Sequence, residues 1–319
     1  MRILVTGSAG FIGSNVSKAL LMRGDEVVGI DNFNDYYDVS LKEYRNKELE
    51  KYDSFKLYRI NIESVEDLKK VFSENKIDKV CHLAAQANVR YSIDNPYVYG
   101  TTNCAGFINI IHLSKDAGIK HFVYASSSSV YGDNKKVPYS EEDIVEQPIS
   151  LYAATKRANE LIAYTCHHLY NMNTIGLRFF TVYGPAGRPD MAYFKFADKM
   201  AKGETIDVYN YGKDMKRDFT YIDDIVDGVI RALDCDYKYE IFNLGKGSPD
   251  DFGDFISILE KHMGIKAKKN LLPMQPGDVM ITYADTTKTE KMLGYKPSIT
   301  LDEGLKKFAD WYREYYRIL

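Results

Sequence analysis

The chain begins as a series of short apolar runs separated by longer stretches with helical spacing. Ile3–Val5, Val27–Ile30, Phe55–Tyr58, Val80–Ala84, Phe122–Ala125 and Thr174–Leu177 are β-branched or aromatic in character and too short for helices. Between them the pattern predicts helices over 11–23, 64–74, 97–117 and 151–170. This alternation predicts βαβ units with right-handed crossovers, hence an α/β fold with a doubly wound parallel (Rossmann) sheet. After the turn-rich Gly184-Pro-Ala-Gly-Arg-Pro189 the elements shorten. Helices are expected near 191–202, 222–234, 250–263 and 302–317, with a strand over Ile206–Tyr209. We expect residues 181–319 to form a smaller C-terminal α/β unit, interleaved at its boundary with residues 1–180.

Composition narrows the function classes. With 319 residues, 45% hydrophobic and 27% charged, the chain can bury a substantial core and keep a solvated surface. A net charge of -3 with both signs interspersed argues against a nucleic-acid partner. The short basic stretches 133–137 and 266–270 read as solvated faces. No apolar run approaches the roughly 18 residues of a membrane span, so no membrane partner is expected. Met1–Thr6 is interrupted by glycine too early for a signal peptide. Cys81, Cys104, Cys166 and Cys235 form no CxxC and read as small buried apolar residues in a reduced, cytoplasmic setting. Cys166-His167-His168 falls mid-helix, where adjacent side chains diverge, and no metal site is expected.

Candidate chemistry gathers at three places. Thr6-Gly-Ser-Ala-Gly-Phe-Ile-Gly13 follows the first strand and opens a helix, placing Gly7, Gly10 and Gly13 in a GxxGxxG pattern with Phe11 and Ile12 between them. Glycines there allow a tight turn and close approach of a pyrophosphate to the positive helix N-terminus. Ile30-Asp-Asn32 closes the second strand, 18 residues beyond Gly13. A carboxylate at Asp31 would accept from a ribose 2′-hydroxyl and repel a 2′-phosphate, and no Arg or Lys follows immediately, so NAD is the expected cofactor. At the second place, Ser150 is a good N-cap for a helix that carries Tyr152 and Lys156 four residues apart on one face. An ammonium beside a phenol is expected to lower the tyrosine pKa, which would suit it to take a proton from a sugar hydroxyl. The third place is Ser126-Ser-Ser-Ser-Val-Tyr-Gly132, which ends the fifth strand with four hydroxyls and no acid.

In order and spacing, these motifs and His82-Leu-Ala-Ala85 resemble the extended short-chain dehydrogenase/reductase family. The similarity is closer to its nucleotide-sugar 4-epimerases, particularly those that act on UDP-glucuronate. It extends through the stretches 31–38, 85–92, 177–192, 217–224 and 275–278. The resemblance implies Ser127 as the catalytic hydroxyl, Tyr152 as the base and Lys156 as its partner. It implies that Leu83, Ala84, Ala85 and Asn103 line the cofactor, that Asn61 and Ile62 border its adenine, and that Asn32 joins Asp31. Arg217 and Asp278 correspond to positions that hold the UDP phosphates and ribose; Phe196 and Tyr209 correspond to positions beside uracil. The implied activity is NAD-dependent inversion of C4′ of UDP-glucuronate through a 4-keto sugar, giving UDP-galacturonate, in a homodimer. Residues 1–180 would then be the NAD-binding domain and 181–319 mainly the nucleotide-sugar-binding one.

The serine run departs from two branches of that family. Sugar dehydratases carry Asp-Glu where this chain has Ser128 and Ser129, and the decarboxylases of UDP-glucuronate carry a Glu in the same region. Hydroxyls do not replace that acid–base work, but they can donate to a carboxylate. Ser128, Ser129, Thr181 and Arg188 are the expected pocket for the C6 carboxylate, with Arg188 reading it bidentately. The other readings are a neutral UDP-hexose 4-epimerase, a decarboxylase and a non-catalytic NAD-binding regulator.

Overall fold

The computed structural model describes residues 1–274 and 280–318. Its centre is a seven-stranded, all-parallel sheet built from β1 (Arg2–Thr6), β2 (Glu26–Ile30), β3 (Phe55–Tyr58), β4 (Lys79–His82), β5 (His121–Ser127), β6 (Asn173–Phe179) and β7 (Tyr239–Leu244). The spatial order is β3-β2-β1-β4-β5-β6-β7. The order therefore reverses between β1 and β4, and ligands of such sheets bind in the crevice beyond the strand ends at that point.

The strands are buried on both faces because successive side chains point to opposite sides. Ile3 and Val5 enter one core with Phe11, Val16 and Leu20 of α1 (Phe11–Met22). Leu4, Val28 and Val80 enter the other core, with Leu68 and Val71 of α3 (Val65–Glu74), Ile110 of α4 (Phe107–Asp116) and Ala163 of α5 (Leu151–Tyr170). Between α1 and α3 lies α2 (Val39–Leu49), which the sequence pattern did not predict. Its only buried apolar side chains are Leu41 and Leu49, and its other buried positions are Lys42, Arg45 and Asn46, so the apolar stripe is missing.

The first six predicted strands and the helices over 11–23, 64–74 and 151–170 are present within a few residues. The helix expected over 97–117 is broken into Pro96–Val98, a π-helical stretch Tyr99–Gly106, and α4. β7 is an addition to the sequence reading. Its pairing with β6 brings residue Asn243 opposite Arg178 in the main sheet. The chain after residue 180 thus contributes α7 (Ile222–Asp234) and β7 to the central sheet layer, whereas α6 (Ala192–Ala201), α8 (Phe252–Met263) and short strands stand beyond its C-terminal edge.

Candidate active site

A cavity of about 540 Å³ opens at the C-terminal edge of the sheet, across the switch point. Gly7, Gly10, Phe11, Ile12 and Gly13 form its floor, Asp31, Asn32, Asn61 and Ile62 one end, and Leu83, Ala84 and Ala85 its side. Gly7 has φ +71°, and a Cβ there would stand 2.9 Å from the Ala84 nitrogen. A Cβ on Gly13 would lie 2.0 Å from the Gly7 carbonyl oxygen. Only glycines allow a turn this tight against β4, and the result is a bare backbone cradle at the start of α1.

Asp31 is held by two backbone donors: Ala9 N–H reaches Oδ2 at 3.1 Å and Phe33 N–H reaches Oδ1 at 2.9 Å. No Arg or Lys follows Asp31 immediately in the sequence, but a cation reaches it from a later element. Lys42, on α2, stands 3.9 Å from Asp31 Oδ1 and lines the same cavity, donating to the Asn34 backbone and side-chain oxygens at 2.9 and 2.7 Å. It was missed because α2 itself was missed. Glycine cradle, carboxylate and switch point together fit a dinucleotide.

Ser127, Ser128, Ser129, Tyr152, Lys156, Thr181 and Arg188 meet at the other end of the cavity. Strand alternation sorts the serines. Ser126 turns its hydroxyl to the buried Glu160 at 2.6 Å. Ser127 points the other way: its hydroxyl accepts from Ser129 N–H at 3.2 Å and lies 3.2 Å from Ser129 Oγ, in the cavity that Tyr152 also lines. Ser150 caps α5 as expected, accepting from Ala153 N–H at 3.1 Å.

The electrostatics of the tyrosine differ from the sequence expectation. Burial pushes the Tyr152 pKa above its ordinary value, while Ser127 and Arg188 pull it down and Asp190 opposes them. Lys156 is not among these influences. Its ammonium donates to the Ala125 carbonyl at 2.8 Å, and burial pulls its own pKa down to about 8. In this geometry the lysine is anchored to the end of β5 rather than paired with the phenol.

Arg188 is gripped from one side. Its Nε donates to Asp190 Oδ1 at 3.0 Å and its Nη2 to Asp190 Oδ2 at 2.5 Å. Burial works against the guanidinium charge, but Asp190 outweighs it and the pKa is raised. The loop that carries this pair is tied to the cofactor cradle by Arg45 of α2, which is 4% exposed. Arg45 donates to the carbonyls of Ala186 at 2.8 Å and Gly187 at 2.8 Å, and also to that of Ala9 at 3.1 Å.

Two site expectations change, at Asn103 and Phe196. Asn103 is buried off the cavity wall, and its amide is used up internally. It accepts from Gln86 N–H at 2.8 Å and donates to the Gln86 carbonyl at 2.9 Å and to Thr155 Oγ1 at 3.1 Å, so it fixes the loop after β4 to α5. Phe196 faces the core, packed on Phe252 and Phe255 at ring separations of 6.0 and 6.2 Å. Helical spacing turns its neighbour Lys195 to the cavity instead. Tyr209 and Arg217 stand on adjacent elements and not on this wall. Arg90, which does line the wall, has its guanidinium 5.8 Å over the Tyr209 ring. Arg217 donates to the Lys216 and Met280 carbonyls at 2.9 and 3.0 Å. Asp278 lies outside the described residues. Tyr36, Lys42, Asn88, Arg90, Asp190 and Lys195 line the cavity and were not singled out.

A family profile described as GDP-mannose 4,6 dehydratase matches residues 4–308. The chain belongs to this family. It is 54% identical over 314 residues to an uncharacterized protein of Methanocaldococcus jannaschii, covering 98% of this chain and 96% of that one. UDP-glucuronate 4-epimerase 4 of Arabidopsis thaliana is 50% identical over 332 residues, 98% of this chain and 76% of that protein. Among solved structures, the UDP-glucuronic acid 4-epimerase of Bacillus cereus in complex with UDP-glucuronic acid and NAD superposes with a TM-score of 0.91. That match has 36% identity and covers 99% of this chain and 100% of that one. The matched profile carries a dehydratase's description, and this chain has hydroxyls at Ser128 and Ser129 where β5 ends.

Proposed function

We propose that the chain is an NAD-dependent UDP-glucuronate 4-epimerase that produces UDP-galacturonate. The observation that carries this is a strand end with hydroxyls in place of acids, at Ser128 and Ser129, sharing one cavity with Arg188, Thr181 and Tyr152. NAD in the glycine cradle accepts the C4′ hydride and returns it to the opposite face of the sugar.

The chain's own residues do the rest. Ser127 holds O4′ by its hydroxyl, and Tyr152 removes the O4′ proton as C4′ is oxidised, then gives it back. The Tyr152 phenol starts above its ordinary pKa because it is buried, so Ser127, the Arg188 guanidinium and the positive charge of oxidised NAD are what favour phenolate. The 4-keto sugar turns about its link to UDP and presents its other face. Asp31 takes the adenine-side ribose, with Asn32, Asn61 and Ile62 around the adenine. Ser128, Ser129, Thr181 and Arg188 hold the C6 carboxylate, which a neutral hexose lacks; this disfavours the UDP-hexose reading. Arg217, Tyr209 and Asp278 serve the UDP end, joined by the cavity-lining Arg90 and Lys195.

We assign NAD to residues 1–180 and the sugar nucleotide mainly to 181–319, with α7 and β7 crossing back to the first unit. A homodimer fits the outer faces of α4 and α5, where Ile108, Leu161 and Tyr164 are 41%, 52% and 49% exposed. No described helix is long and apolar enough to cross a membrane. Four unpaired cysteines suit a reducing cytoplasm, and a charged uronic-acid nucleotide suits surface-polysaccharide synthesis.

The test is an NMR time course of the purified protein with UDP-glucuronate, with and without added NAD. UDP-galacturonate approaching an equilibrium near unity is expected. No turnover of the uronate alongside turnover of UDP-glucose would overturn the assignment. Tyr152→Phe should lower turnover by roughly 10²–10⁴-fold while leaving binding of NAD and UDP-sugar within a few-fold.

A further inference from the structure

Asp190 sits where three loops meet. Tyr36, from the loop after β2, donates its hydroxyl to Asp190 Oδ2 at 3.1 Å. Asn88, from the loop after β4, donates its amide to the same oxygen at 3.0 Å. Arg188, from the loop that Arg45 ties to the cradle, engages both oxygens through its Nε–Nη2 edge. Asn88 is itself held in a left-handed conformation, φ +91°, while Tyr99 donates to its carbonyl at 2.6 Å. Oδ2 thus accepts from Tyr36, Asn88 and Arg188 and Oδ1 from Arg188, and all three loops contribute to the cavity wall.

A guanidinium has two edges suited to a carboxylate. Asp190 takes the side edge, so the end edge, Nη1 with the second Nη2 hydrogen, is the one that can read a ligand. A planar fork held by two bonds on one edge has its other edge fixed in direction. We propose that Asp190 is a positioning residue that aims Arg188 and thereby decides whether the 4-keto uronate keeps its carboxylate. The proposal rests on the reading of the site as a UDP-glucuronate epimerase.

The chemistry at stake is explicit. Oxidation at C4′ makes a β-keto acid. In its decarboxylation the C5′–C6′ bond breaks, its electron pair flows into the C4′ carbonyl to give an enolate, CO₂ leaves, and a proton returns to C5′. Negative charge therefore leaves the carboxylate as the reaction proceeds. A cation aimed at the carboxylate stabilises the starting state more than the transition state, and a two-point contact also fixes the orientation of the C5′–C6′ bond. Arg188 performs both tasks only if its fork stays in register, and Asp190 supplies that register.

The experiment compares wild type with Asp190→Asn and Tyr36→Phe, loaded with NAD, by NMR of products and by released CO₂. Asp190→Asn keeps the size of the side chain but loses one acceptor and the charge. Its expected signature is a roughly tenfold lower kcat for epimerisation and at least about tenfold more CO₂ per turnover. KM for UDP-glucuronate should be no higher than wild type, because the guanidinium loses its internal counter-charge. Tyr36→Phe removes only one donor to Asp190 and should shift the same two quantities by about threefold. Epimerisation rate and product purity within twofold of wild type in both variants would overturn the proposal. So would a fall in rate with a raised KM and no added CO₂, which is the signature of general damage. Should Asp190→Asn fail to fold, Tyr36→Phe decides alone. Wild type serves as the control for the underlying assignment: if it forms no UDP-galacturonate, the epimerase reading fails, whereas a productive wild type beside unaltered variants removes only the role of Asp190.

Discussion

Two arginines in this chain each grip a carboxylate through the Nε–Nη2 edge, and they do opposite things. Arg178 holds Glu160 at 2.9 and 2.9 Å with side chains 2% and 0% exposed. Glu160 also accepts from Ser126 at 2.6 Å and Arg157 at 3.0 Å, and the Arg178 guanidinium lies 4.9 Å over the Tyr131 ring. Arg188 holds Asp190 in the same way, but the two side chains are 25% and 13% exposed and face a cavity. The first pair is buried, its Arg178 Nη1 has no hydrogen-bond partner among the described residues, and Arg178 lines a separate cavity with Glu141 and Lys288; the second lines the cavity that holds Tyr152. The difference shows that a bidentate ion pair is not in itself a sign of either stability or function. What decides is which space the remaining hydrogen-bonding capacity faces.

Glu160→Gln tests this contrast most severely. It leaves Arg178 buried against a neutral amide and should cost about 3–5 kcal/mol of stability in denaturant titrations, with the product of the remaining folded enzyme still UDP-galacturonate alone. Arg188→Ala should do the reverse. Stability should change by no more than about 1 kcal/mol, while affinity for UDP-glucuronate falls roughly 10–100-fold. Unchanged affinity would break the carboxylate pocket, and equal stability losses from the two variants would erase the distinction.

A smaller effect comes from pH. Lys156 lines the same end of the cavity as Tyr152; with a pKa of about 8 in the folded chain it loses its charge as pH rises through that value, which removes a cation from the end where O4′ gives up its proton, so kcat/KM should fall on the alkaline side of about 8. The unfolded chain keeps that proton up to the ordinary lysine value of about 10.4. Between the two values the unfolded state binds more protons, so this group makes the folded state more stable as pH rises. Activity and stability should therefore move in opposite directions across that window, measured as rate–pH profiles beside melts. A parallel decline of both would point to unfolding rather than titration at the site.

The sequence made one class of features legible and concealed another. Periodicity exposed β1 to β6 because each is a short apolar run between turn residues, and local motifs exposed the glycine cradle, Asp31, Tyr152 and Lys156. It concealed α2, whose buried face is largely Lys42, Arg45 and Asn46, and with it the cation beside Asp31 and the tie between cradle and substrate loop. It concealed β7 because its pairing with β6 is made across more than 60 residues of chain. Phe196 was misplaced by one helical position, which exchanges a core ring for the ammonium of Lys195. Asp190 lay in plain view beside Arg188, but its three partners are separated from it by up to 154 residues in sequence, a convergence that only the folded loops reveal.

Arg45 has a practical consequence for attempts to redesign this scaffold. One guanidinium fastens the carbonyl of Ala9, in the glycine turn, to those of Ala186 and Gly187, beside Arg188. Cofactor preference and sugar preference are therefore not separate dials. A library that varies the cradle around Ala9 to admit another nucleotide will also disturb the footing of the loop that carries Arg188, the residue we assign to the uronate carboxylate. The two traits are best selected together, in a single screen that scores both at once.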